Sequence, residues 1–107
     1  MKSYLTGVFL FGLIIYIGAS GGCASTEQVK GDVANGKKVY GQYCVLCHGD
    51  NGKMQLNGAK DITVSELTFE LRLTLIKDGK NLMTPFDGIL SESEIQDVAA
   101  YSMTLKP

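Results

Sequence analysis

The string Cys44-Val45-Leu46-Cys47-His48 constrains this chain more than any other stretch. Two thiols three positions apart lie on one side of a single helical turn, so both can reach the same flat ligand, and an imidazole follows at once. That spacing is the attachment signature of a c-type haem, with the thiols as thioether anchors and the histidine as the first axial iron ligand. Structural zinc needs four ligands as a rule, and His48 is the only histidine while Cys23 follows an apolar leader. A thioredoxin-like redox pair expects a strand before the motif, whereas a helical pattern runs into this one.

A chain of 107 residues holds one small domain, and about 80 residues remain once a leader is set aside. A domain that short buries a thin core and usually needs a staple. A haem is such a staple. The formal charge is −1, and without Lys2 the remaining nine basic and eleven acidic residues give about −2. Nucleic-acid binding has no support in that balance. Two of the three cysteines are spent in the motif, so no disulfide framework is available.

Residues 1–22 read as an export segment: a basic start at Lys2, then an almost wholly apolar run from Tyr4 to Ala19. Gly22 and Cys23, followed by the polar Ser25-Thr26-Glu27-Gln28, resemble a bacterial lipoprotein signal, in which the cysteine becomes the lipidated first residue. Ser20 stands where such signals usually carry leucine. Two alternatives stay open. An uncleaved helix from Tyr4 to Gly22 would span about 28 Å, close to the hydrocarbon thickness of a bilayer; ordinary cleavage near Gly22 or Ala24 would release the domain. Residues 23–31 are expected to form a flexible tether, and residues 32–107 the domain.

Asp32 is a suitable N-cap for a helix carrying Val39, Tyr40 and Tyr43 into the motif. Gly36 costs on the order of 1 kcal/mol there relative to alanine, which implies that another element packs closely against it. Gly36, Tyr40, the Cys44–His48 motif, Gly49 and Gly52 together resemble the opening of a small bacterial class I cytochrome c. The resemblance covers roughly Asp32 to Leu105. It implies an all-α cytochrome c fold of three to five helices around one covalently bound haem c. It also implies that Gly36 and Tyr40 cross the last helix.

After His48, the glycine-rich run to Lys53 is turn chemistry, and Leu56 to Asp61 continues as loop around the haem edge. No proline occurs between His48 and Thr84. The proline whose carbonyl often orients the histidine in this family is therefore missing, and another carbonyl must take its place. Leu67 to Leu75 alternates apolar and polar residues, which alone suggests a strand. No second run offers a pairing partner, however, and Leu67, Leu71 and Leu75 also fit a helix ended by Gly79. Helix is the expectation, with the three leucines in the core.

A six-coordinate iron needs one more donor, and with the only histidine used it falls to methionine or lysine. Met83 is the candidate, in a loop that Pro85 keeps from being helical. It resembles the family's methionine loop, with Thr84 inserted before the proline. Met54 and Met103 are the competitors, the first close behind His48 and the second a packing residue, and a methionine in an apolar loop also simply fills space.

Ser91 and Glu94 read as a capping box. They open a helix whose Ile95, Val98, Ala99, Ser102 and Leu105 share one side, with Tyr101 at its margin and Glu92, Gln96 and Asp97 facing water. Leu90 is placed to staple onto Ile95.

The resemblance implies an electron carrier and not an enzyme, exported to the periplasmic or outer face. Its partners would be redox proteins: a respiratory complex, oxidase, reductase or dehydrogenase. A haem enzyme or small-ligand sensor with a labile sixth ligand is the rival reading.

Overall fold

The structure, a computed structural model, describes Gly18 and residues 29–107. The export segment, the tether up to residue 28 and Cys23 lie outside the described residues. Among those described there are four α-helices: α1 (Val33–Tyr43), α2 (Val45–His48), α3 (Phe69–Asp78) and α4 (Glu92–Thr104). Two 3-10 turns, Leu56–Gly58 and Ile62–Val64, punctuate the connection from α2 to α3. The expected all-α architecture, with three to five helices, is what forms among the described residues.

Asp32 caps α1 as its chemistry suggests, accepting from the backbone N–H groups of Ala34 at 2.9 Å and Asn35 at 3.1 Å. The buried face of α1 is Gly36, Val39 and Tyr40, the i, i+3, i+4 stripe of one helical side. It crosses α4. A β-carbon on Gly36 would overlap the Asp97 carbonyl and stand 2.9 Å from the Cβ of Tyr101. The rings of Tyr40 and Tyr101 meet edge to face at 5.1 Å. Both family-implied contacts at this crossing are present.

The capping box of α4 is complete: Ser91 Oγ accepts from Glu94 N–H at 3.1 Å, and Glu94 Oε2 accepts from Ser91 N–H at 2.8 Å. Leu90 and Ile95 are buried in one cluster with Val39, Tyr40, Phe86 and Val98. On the other side of α4, Ala99 and Ala100 pack with Phe69 of α3. The last helix is thus the common wall for α1 and α3.

Asp97 departs from the expectation that it faces water. It is only 7% exposed and accepts from the backbone N–H of Asp32 at 2.7 Å and from Asn35 Nδ2 at 2.7 Å. Contact at Gly36 brings the start of α1 so close that this carboxylate replaces water as its acceptor. Leu67, just before α3, and Leu71 and Leu75 on it also differ from expectation. Leu67 and Leu71 are 37% and 53% exposed on the protein surface and, with Leu75, line a cavity rather than the core. The core side of α3 is Phe69 and Arg72, with Leu73 and Ile76 packed beside them. Two apolar faces on one helix produce the alternation that resembles a strand.

Candidate haem site

Cys44 joins α1 to α2. Its N–H still bonds the Tyr40 carbonyl at 2.9 Å, and its own carbonyl accepts from His48 N–H at 2.9 Å, so the motif forms one tight turn continuing the first helix. Cys44, Cys47 and His48 are all half-buried and line one wall of a cavity of about 680 Å³. A second lobe of about 530 Å³ shares Cys44, His48 and Met83 with it. Volumes of this size suit a drug-sized or cofactor-sized ligand.

His48 Nδ1 lies 3.1 Å from the carbonyl oxygen of Lys60. A carbonyl can only accept, so this contact is a hydrogen bond when Nδ1 carries the proton, which leaves the Nε2 lone pair for a metal. Lys60 supplies the carbonyl that the missing proline cannot. Its loop is shaped by residues that tolerate positive φ, Asn57 at 55° and Gly58 at 79°, and ends where Asp61 caps the next turn through Thr63. The other side of the histidine turn is tied by Met54 N–H to the His48 carbonyl at 2.9 Å and by Tyr40 Oη to the Gly49 carbonyl at 2.6 Å. Burial, with the nearby Cys44 adding, drives the Tyr40 hydroxyl pKa well above its ordinary value, so this donor stays protonated.

Met83 reaches the cavity from the opposite stretch of chain. Gly79 ends α3 with φ 67°, and a β-carbon there would press on the Met83 carbonyl and Pro85 nitrogen at 2.5 and 2.8 Å. Only glycine lets the loop fold back so tightly. Phe86 N–H then bonds the Ile76 carbonyl at 3.0 Å, fixing the far end of the loop to α3. Of the described methionines, Met83 lines both lobes; Met54 lines neither, and Met103 packs against the Phe69 cluster. The cavity therefore gathers two thiols, one imidazole whose Nδ1 faces a carbonyl and one thioether, with Leu67, Leu71 and Leu75 as apolar wall. That donor set fits a covalently held haem, whose attachment uses thiols and whose iron accepts nitrogen and sulfur ligands.

Cys44 does not resemble a thiol poised for exchange. Burial pushes the Cys44 thiol up to about 11, with the neighbouring Cys47 charge adding, so it stays protonated and weakly nucleophilic at neutral pH. Sequence reasoning overlooked Arg72, which also borders the second lobe. The one signal was that Arg72, the only arginine in the sequence, stands at a polar position of the alternating row from Leu67 to Leu75.

Comparison with known proteins gives the same picture. The family model described as cytochrome C oxidase, cbb3-type, subunit III matches residues 31–101. Cytochrome c6 of Leptolyngbya boryana is 38% identical over 76 residues, covering 65% of this chain and 88% of that protein. Cytochrome c6 of Parathermosynechococcus lividus is 37% identical over 75 residues, covering 65% and 86%. The solved cytochrome c6 of the diatom Phaeodactylum tricornutum superposes with a TM-score of 0.60 at 31% identity, over 68% of this chain and 92% of that one. The chain belongs to the class I c-type cytochrome family, whose members carry a covalently bound haem c.

Proposed function

We propose that this protein is a one-electron carrier, not an enzyme, in which Cys44 and Cys47 hold the haem and His48 and Met83 are the axial ligands. The observation that carries the reading is the shared cavity: both thiols, His48 and Met83 line it together. The haem supplies the one-electron couple. The chain's own residues fix the coordination: the Lys60 carbonyl orients His48, and Gly79 folds the loop that presents Met83. A methionine in the sixth position raises the potential and leaves no free site for oxygen or peroxide.

Replacing Met83 with alanine should abolish the weak far-red absorption of methionine-bound ferric haem while the reduced spectrum keeps its sharp c-type band. Survival of the far-red band would show that another residue ligates iron. Binding of carbon monoxide by the reduced wild-type protein without denaturant would favour the sensor reading instead.

Export and tethering complete the proposal. The Gly22-Cys23 junction supports a lipid-anchored start, which would hold the domain at the outer face of a membrane, near redox partners such as an oxidase or reductase. Among the described residues no helix is long and apolar enough to cross a membrane. An intact mass showing diacylglyceryl-cysteine at Cys23 is expected; a mass starting at unmodified Ala24 or Ser25 would rule the anchor out.

A further inference from the structure

Among the described residues no carboxylate pairs with Arg72, a buried cation. It is 8% exposed and borders the cavity lobe that Tyr40, His48 and Met83 also line. Its Nε donates to the Leu67 carbonyl at 3.1 Å, Nη1 to the Ser102 carbonyl and Oγ at 3.0 and 3.1 Å, and Nη2 to the Ser65 carbonyl at 3.1 Å. Every one of these acceptors is neutral. The carboxylate in the same lobe, Asp61, is turned to the Thr63 N–H and hydroxyl instead. Among the described residues the ion pair joins Lys77 and Glu92 and does not include Arg72.

Burying a charge without a counter-charge is costly, and hydrogen bonds alone offset only part of it. A structural clamp between the Ser65–Leu67 turn and α4 does not require a charge. Burial draws the Arg72 pKa below its ordinary value, yet a guanidinium stays protonated in proteins. The field of that charge falls on the cavity lobe that Arg72 borders.

We propose that Arg72 sets the reduction potential of the centre in this cavity, its buried positive charge disfavouring the oxidised iron, which carries one more positive charge than the reduced. The inference rests on the haem reading above. Its sign is fixed: removing the charge stabilises the ferric form and lowers the potential.

The test uses the haem-loaded full chain with Arg72→Gln, Arg72→Lys and Ser102→Ala, each titrated against a redox mediator of known potential and melted in denaturant. Arg72→Gln should lower the equilibrium constant for reduction on the order of tenfold, the scale of a coupling between unit charges across a cofactor-sized cavity at an effective dielectric constant of about 20. Arg72→Lys and Ser102→Ala keep the charge, so they should lose stability while the constant stays within about twofold of wild type. If Arg72→Gln does not load, Arg72→Met, an apolar replacement of similar length, takes its place. An unchanged constant in the neutral variant, or an equal shift in all variants, would overturn the proposal. A wild-type protein with no c-type absorption band would instead overturn the haem reading.

Discussion

Gly36 of α1 lies directly against the carbonyl of Asp97 on α4, with no room for a side chain between them. Gly41, on the same helix, has open space where its β-carbon would be. The two glycines therefore give opposite signs under one substitution. Gly41→Ala should stabilise the protein by about 0.5–1 kcal/mol, the helix-propensity difference between the residues. Gly36→Ala gains the same propensity but must push the helices apart, and should lose about 1–3 kcal/mol net. Denaturant melts of the two variants decide it, and a stabilised Gly36→Ala would mean that the crossing is looser than described.

Asp97 adds two hydrogen bonds across the same crossing. One carboxylate oxygen accepts the Asp32 N–H and the other accepts from Asn35 Nδ2. Asp97→Asn is not conservative here, because its new amide hydrogens must face one of two donors. A cost of about 1.5–3 kcal/mol is expected, the range for hydrogen bonds to charged groups. Adding Asn35→Asp to that variant turns one clash back into a donor–acceptor pair, so the double variant should recover part of the loss. Denaturant melts of both single variants and the double would show the coupling.

Legibility in the sequence followed how local each device is. Asp32, the Ser91–Glu94 box and the Cys44–His48 turn are read from neighbours within four residues, and each forms as expected. Gly36 was legible because a glycine inside a helix needs a reason. The Lys60 carbonyl was not, since a backbone acceptor carries no side-chain signature. The inward turn of Asp97 and the neutral shell of Arg72 depend on how closely two distant helices approach. The side that Leu67, Leu71 and Leu75 face was not legible, because apolar residues facing a cofactor cavity and those facing a protein core follow the same hydrophobic pattern.

Tyr40 links the α1–α4 crossing to the histidine turn. Its ring meets Tyr101, and its hydroxyl holds the carbonyl next to His48. Tyr40→Phe keeps the ring contact and leaves the buried Gly49 carbonyl only its longer bond from the Gly52 N–H at 3.3 Å, at an expected cost of about 1–2 kcal/mol. Slower-exchanging amides of α1 should be little affected, while the Gly49–Met54 turn should lose hydrogen-exchange protection. Equal loss of protection across α1 would mean that the hydroxyl has no special hold on that turn.

Asp61 gives the fold an acid-sensitive point. Its carboxylate accepts from the Thr63 hydroxyl at 2.6 Å and from the Thr63 N–H at 2.9 Å. Chiefly the hydroxyl bond, then the backbone bond and the nearby Lys53, hold its pKa below the usual carboxylate value. The unfolded chain therefore takes up a proton at higher pH than the folded one, and stability rises with pH across that window. The contribution is fully present above the unfolded carboxylate value of about 4 and is lost as pH falls through the lower folded value. Asp61→Asn should melt at lower denaturant concentration than wild type at neutral pH, and the gap should close as the solution is acidified below about pH 4. Thr63→Val, which removes the hydroxyl bond, should raise the Asp61 pKa and shift the closing of that gap toward higher pH. Because Asp61 caps the turn that follows Lys60, acid that protonates it should also disturb the His48 Nδ1 bond to the Lys60 carbonyl. A stability gap between wild type and Asp61→Asn that does not change with pH would show that the Thr63 bonds do not perturb this carboxylate.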